Sequence, residues 1–341
     1  MPFNYDLLVN TLAIQSESYN SKLMERYIKR FLKKNGIDYH TDSYGNIYAT
    51  KGDADLYPTM VCHIDTVHDI NMNSIVKRHG NVLYSIDNQT FKRTGIGGDD
   101  KVGVFITLSC LKHFDTFKAV FFKDEEVGCV GSGHADMSYF DDSTLVLECD
   151  RKGYGDFVTE IYGVELCDDT LTSEIADLLD AYKRKPCSGG LTDVKVIASK
   201  TDVMTANVNC GYYFPHTDDE VVNIIDVQDT LQFCIDVLNQ TSHKAWRMTR
   251  TLSSYAYTSR YSDYSYWYDY DMPTQKELFQ QDKADDTIVE LCPQCTATDI
   301  VHDPYQNQWY CYTCDMYIDD DAILDYHIEL ENEEKENNTK G

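Results

Sequence analysis

A chain of 341 residues can bury a full core, as one large domain or two modest ones. Its 57 acidic and 30 basic side chains leave a formal net charge of -27, which argues against broad binding to a phosphate backbone and makes nucleic acid an unexpected partner. That balance fits a soluble protein acting on small molecules, peptides or metals, and does not choose among them.

From the start, MPFNYDLLVNTLAIQSESYN has no basic stretch followed by an apolar one, so no export signal is read. Leu7, Leu8, Leu12 and Ile14, then Leu23, Met24, Tyr27, Ile28, Phe31 and Leu32, recur at helical spacing, with Gly36 suited to end the second helix. Residues 37–50 predict a hairpin turning near Ser43–Asn46. PTMVCHID (58–65) predicts a short apolar strand, and 75–86 a second hairpin turning at Gly80-Asn81. The loop TGIGGDD leads into KVGVFITLSCLKHF, read as a helix, and FKAVFFKDEE and STLVLECD follow as strands that end in acids. Helix is predicted for 171–185, with KRKP (183–186) at its end, then strand for 206–213 and helix for 224–240.

Strands alternating with helices place an α/β domain over 1–244, with a mostly parallel central sheet flanked by helices. In such sheets functional groups gather beyond the carboxyl ends of the strands. Residues 245–288 are Tyr-, Ser- and Asp-rich and read as a linker, and 328–341 as an acidic mobile tail. Between them, over 289–327, LCPQC and WYCYTC set Cys292 and Cys295 fifteen residues ahead of Cys311 and Cys314. Four thiolates at that spacing suit one structural zinc in a ribbon of two knuckles and short strands. Its acidic surroundings favour a protein partner over nucleic acid. The other eight cysteines lie singly, mostly inside apolar runs, as reduced core thiols do, and a cytoplasmic chain is expected. No apolar run approaches the ~20 residues of a membrane span, so no membrane partner is expected.

Polar residues collect at the predicted loop ends: His63 and Asp65, Asp99 and Asp100, Glu125 and Glu126, Asp150, and His216. Zinc takes imidazole nitrogen and carboxylate oxygen, and a catalytic site keeps room for water. Two ions sharing a carboxylate need about five ligands and a separate base. The inventory meets that requirement with one orienting acid left over. Acids crowded in one pocket raise each other's pKa unless cations neutralise them. Glu125 and Glu126 would face opposite sides of an extended strand, so both reach one ion pair only if the chain has already turned, which Gly128 and Gly131 favour. His68, His79, His113 and His134 fall in no ordered motif and read as surface or packing residues.

The segments HIDT, GGDDKVGV, DEEVG, an Asp after a strand, and GYYFPHTDDE, in that order, resemble the co-catalytic zinc exopeptidases. That group includes the peptidase T-like tripeptide aminopeptidases, carboxypeptidase G and the N-acyl amino acid deacylases. The likeness is to the peptidase T branch and spans about residues 3–240. It implies a metallo-aminopeptidase with two Zn2+ (or Co2+ or Mn2+) acting on short peptides through a bridging hydroxide. By the same resemblance His63 and Asp150 hold one ion, Glu126 and His216 the other, and Asp99 bridges. Glu125 is the implied general base, and Asp65 orients His63. The lid or dimerisation domain that most of these relatives insert before the last histidine has no room in 151–215. Two further readings stand beside it: an N-acyl amino acid deacylase using the same site, and a non-catalytic scaffold whose ribbon recruits a protein.

Overall fold

The computed structural model describes residues 3–249 and, beyond them, only the backbone of 300–303, 308–311 and 316–318. In chain order the elements are α1 (Tyr5–Ala13), α2 (Lys22–Lys34), β1 (Asp38–Thr41), β2 (Ile47–Lys51), β3 (Tyr57–His63), β4 (Ser74–His79), β5 (Val82–Asp87) and β6 (Arg93–Thr94). Then come α3 (Gly98–His113), β7 (Phe117–Phe122), α4 (Val130–Gly133), β8 (Ser143–Glu148), β9 (Asp156–Ile161), β10 (Val164–Glu165), α5 (Asp169–Glu174), α6 (Ala176–Ala181) and β11 (Lys185–Gly189). The main body closes with α7 (Asp193–Lys200), β12 (Thr205–Val208), β13 (Tyr212–Tyr213), β14 (Val221–Asn223) and α8 (Ile224–Gln240).

Nine strands form the main sheet in the order β1-β2-β7-β3-β8-β12-β9-β10, with β11 also pairing β9. Its centre, β7-β3-β8-β12, is parallel, and β1, β2, β9 and β10 add antiparallel pairs on either side. Alternation along the central strands explains why helices lie on both faces. Met60, Cys62, Ala119, Phe121, Leu145 and Leu147 point into a core shared with α1, α2, α3 and α8. Val61, Val120, Phe122 and Val146, one residue out of step, join a second core with Val194, Ile197 and Ala198 of α7. Strands buried on both faces need continuous apolar sequence, which FKAVFF and STLVLE largely provide. Burying one such Phe or Leu contributes roughly 1.5–3 kcal/mol. A second sheet, β13-β14-β5-β4 with β6 on β5, carries the chain around residues 211–223.

The two predicted helices, both hairpins, the strand at 58–65 and the helices after Asp100 and Asn223 are all present. Gly36 follows the end of α2 with φ 65, the left-handed turn that glycine makes without strain. Three expectations need correcting. The helix predicted over 171–185 is two short helices broken at Ile175, and KRKP is not a helix end. Pro186 forces Lys185 into extended backbone, so the chain turns at Lys183 (φ 53) and enters β11. The strand predicted over 206–213 divides between β12 and β13 in different sheets, because Gly211 (φ 91) packs where a Cβ would meet Asp226 Cβ at 2.8 Å. Trp246 and Met248, counted with the linker, are buried, and the Trp246 amide donates to Thr144 O.

Farther on, β15 (Ile300–Asp303), β16 (Gln308–Cys311) and β17 (Met316–Ile318) form a three-stranded antiparallel sheet. Among the described residues no helix is long and apolar enough to cross a membrane.

Candidate metal centre

Each candidate side chain leaves the end of an element. His63 is the last residue of β3 and Asp65 lies two residues beyond. Glu125 and Glu126 follow β7, which ends at Phe122, earlier than the sequence suggested. The chain has therefore turned before the two glutamates, through Asp124 at φ 57, and the Glu125 carbonyl accepts from the Gly128 and Cys129 amides. Asp150 follows β8, and His216 (φ 64) sits in the loop between β13 and β14. Asp99 opens α3 with non-helical backbone, and the Asp99-Asp100 peptide is cis. Gly97 (φ 68) makes the sharp turn before it, a left-handed conformation that glycine adopts without strain.

These loops converge. His63, Asp99 and Asp150 present ligand atoms within 4.8 Å of one another, and so do Asp99, Glu126 and His216. His63 Nε2 lies 3.1 Å from Asp99 Oδ1 and 3.6 Å from Asp150 Oδ1. His216 Nε2 lies 3.4 Å from Asp99 Oδ2 and 3.1 Å from Glu126 Oε2. Asp99 therefore turns one oxygen to each group. On the far side of its ring, His63 Nδ1 lies 3.0 Å from the Asp65 carbonyl and 3.5 Å from Asp65 Oδ1. The ring is thus oriented by Asp65 through main chain as well as carboxylate. Asp65 also accepts from Ser18 Oγ at 2.7 Å and from the Glu125 amide at 3.0 Å. The Glu125 carboxylate accepts only the weak Cys129 thiol, at 3.2 Å, among the described residues.

Burial and like charge strain this cluster. Burial, then Asp150, Asp193 and Glu126, push the Glu125 carboxyl well above its usual range, although His63 opposes them. Burial and Asp99 push Glu126 up to about 7. Burial alone would lower His63, but Asp150, Asp65 and Asp99 push it well up, and bonds to Asp99 and Glu126 carry His216 up to about 11. Among the described residues the only ion-pair partners of these acids are the two histidines. Glu126 Oε1 is buried without a hydrogen bond. Two imidazoles, a shared carboxylate, an orphaned carboxylate oxygen and excess negative charge fit a pair of divalent cations of the zinc, cobalt or manganese type.

Several supports were assigned no role from the sequence. Glu220, within PHTDDE, is buried and accepts from His68 Nε2 at 2.9 Å, Gly97 N at 2.8 Å and Asp99 N at 3.0 Å, which holds the loop that carries Asp99. His68 is thus a packing residue with a partner. Tyr212 donates to Asp150 Oδ1 at 3.1 Å, and the Asn207 side chain brackets the Asp150 backbone. Asp100 faces inward, accepting from His63 N and Gly103 N. Cys292, Cys295 and Cys314 lie outside the described residues. Cys311 ends β16, its backbone paired with Ile300 and Met316.

No protein-family model and no curated protein sequence matches the chain. Solved structures do. The aminopeptidase PepT of Bacillus cereus aligns at 14% identity and TM-score 0.56, over 70% of this chain and 98% of that one. A tripeptidase of Staphylococcus aureus aligns at 14% identity and TM-score 0.59, over 70% and 97%. An aminopeptidase of the archaeon Desulfurococcus kamchatkensis aligns at 14% identity and TM-score 0.51, over 71% and 95%. The fold is the one these three share. The α/β architecture expected from the sequence, a parallel-centred sheet between helices, is therefore also that of known peptidases.

Proposed function

We propose that the chain is a zinc-dependent exopeptidase, an aminopeptidase that removes residues from short peptides. The observation that carries this reading is Asp99 standing between two groups of possible ligands, with the Glu125 carboxylate outside both and close enough to feel the charges of His63, Asp150 and Glu126. His63 and Asp150 would hold one zinc, Glu126 and His216 the other, and Asp99 both. Together the ions would supply Lewis acidity, polarising the scissile carbonyl and making a water acidic enough to attack near neutral pH.

The remaining work falls to side chains. Glu125 accepts the proton of the attacking water and returns it to the leaving amine. Burial and the neighbouring acids raise its proton affinity, and nearby cations would lower it again and leave the carboxylate able to accept a proton. Asp65 fixes the His63 ring and, through the Glu125 amide, the start of the base's loop.

The three-stranded sheet ending β16 at Cys311 supports a zinc ribbon in which Cys292, Cys295, Cys311 and Cys314 hold a structural zinc and offer a protein partner a surface. Cys311→Ser is expected to remove that ion and leave peptidase activity. The described free cysteines, buried except for half-buried Cys187, suit the cytoplasm.

The test is a paired assay of aminoacyl anilides and N-acetylated amino acids with zinc or cobalt supplied. Release from the anilides alone is expected. Release only from the acetylated compounds would make the chain a deacylase, and no release from either would make it a scaffold.

A further inference from the structure

The turn between α1 and α2 is sewn to the loops of the proposed metal centre. Ser18 Oγ donates to Asp65 Oδ2 at 2.7 Å, and the Ser18 amide to the Thr66 carbonyl at 3.2 Å. The Tyr19 amide donates to Asp124 Oδ1 at 2.6 Å, and Asp124 immediately precedes Glu125. Tyr44 donates to the other Asp124 oxygen at 2.7 Å. Burial, then Asp124, Tyr19 and Asp65, raise the Tyr44 hydroxyl, which keeps the Tyr19 phenol within electrostatic reach of it.

Tyr19 is out of place by local rules. The Asn20 amide donates to the Glu17 carbonyl at 2.8 Å, and Tyr19, third in that turn, has φ 64. Turns of this hand take glycine or asparagine there. A bulky side chain in that conformation is strained, and burial does not offset the strain, because Tyr19 is 71% exposed. Val67, next after Thr66, and Val127, next after Glu126, are exposed too. Exposed apolar side chains therefore stand on the two loops that carry Asp65 and Glu126, and on the turn hydrogen-bonded to both. Three such side chains, of at most ~250 Å² each and only partly exposed, fall short of the ~800 Å² that each partner gives to a stable protein interface. They suffice for one amino-acid side chain. Both oxygens of Asp65 and of Asp124 already accept hydrogen bonds, which leaves a cationic side chain little to gain there.

We infer that Tyr19, with Val67 and Val127, receives an apolar side chain of the peptide beside the scissile bond, and so selects leucine- and phenylalanine-like substrates over glycine and lysine. The inference rests on the peptidase reading and names the substrate class of that same site. Tyr19 contacts the substrate side chain and takes no part in the chemistry.

The test is kcat/KM of the full-length, zinc-loaded chain on Leu-Leu, Lys-Lys and Gly-Gly, native and with Tyr19→Asn. Asparagine accepts left-handed backbone and keeps the amide that bonds Asp124, so the turn stays and the ring goes. The native chain is expected to favour Leu-Leu over both others, and Tyr19→Asn to lower the ratio of Leu-Leu to Gly-Gly by about 10-fold. A native preference for Lys-Lys or Gly-Gly, or the same ratio in the variant, overturns the inference and leaves the peptidase reading standing. Failure of that reading shows differently, as a native chain that cleaves none of the three. Calorimetry reads the contact without turnover. Leu-Leu is expected to bind Glu125→Gln about 10-fold more tightly than Glu125→Gln carrying Tyr19→Asn, and equal affinity overturns the inference even where no dipeptide is cleaved. Should Tyr19→Asn not fold, Val127→Ser takes its place, with the ratio expected to fall in the same direction and an unmoved ratio overturning the inference.

Discussion

The Glu125 amide donates to Asp65 Oδ1 at 3.0 Å, and the same oxygen lies 3.5 Å from His63 Nδ1. One carboxylate thus positions both a proposed ligand and the proposed base. Burial works to raise the Asp65 carboxyl, yet His63, Ser18 and the Glu125 amide hold it below its usual value. Asp65→Asn is expected to weaken zinc binding by about 10–100-fold while the chain stays folded. Competition against a chelator, with circular dichroism alongside, measures this. Unchanged affinity would make Asp65 a bystander.

Glu125→Gln keeps the shape of the side chain and removes its basicity. Turnover is expected to fall by about 10²–10⁴-fold, with KM and zinc content close to native. Loss of zinc in this variant would instead make Glu125 a ligand.

Metal and pH should act together. In the metal-free chain Glu126 rises from 4.5 to about 7, so the folded state keeps a proton that the unfolded state releases, and stability falls as pH rises through that window. His216 rises from 6.5 to about 11, so its contribution is complete below pH 6.5 and fades as pH climbs toward 11. Half exposure of its side chain weakens that second effect. Cations displace those protons, so stabilisation by zinc grows with pH. The Tm difference between zinc-loaded and chelated protein should therefore widen from about pH 5.5 to about pH 8. A constant or shrinking difference would contradict this account.

Gly103 packs against the acid that follows the bridge. A Cβ there would lie 2.3 Å from both carboxylate oxygens of buried Asp100, which accepts the Gly103 amide at 2.9 Å. Gly103→Ala is expected to cost about 1–3 kcal/mol. Gly133→Ala, whose Cβ meets nothing within 4 Å, should be close to neutral. Thermal unfolding of the two variants compares them.

Much of this was legible because function and punctuation coincide in the chain. His63, Asp99, Glu125, Glu126, Asp150 and His216 each follow an apolar run or a glycine turn, so their placement at loop ends could be read residue by residue. Local pattern gave no role to Glu220, Tyr212 or Asn207, which act by reaching across the fold to atoms distant in sequence. It also missed β9, β10 and α7. SGGLTDVKVIASK carries only a short apolar period, and α7 owes its place to packing against Val61 and Val120 more than to propensity.

Asp99 offers Oδ1 to His63 and Oδ2 to His216 from a single rotatable side chain. In the proposed two-ion centre, whichever cation arrived first would freeze that side chain and so prepare the seat of the other. Loading should then be cooperative. A titration with limiting zinc should yield a mixture of bare and doubly loaded molecules, with few chains caught halfway.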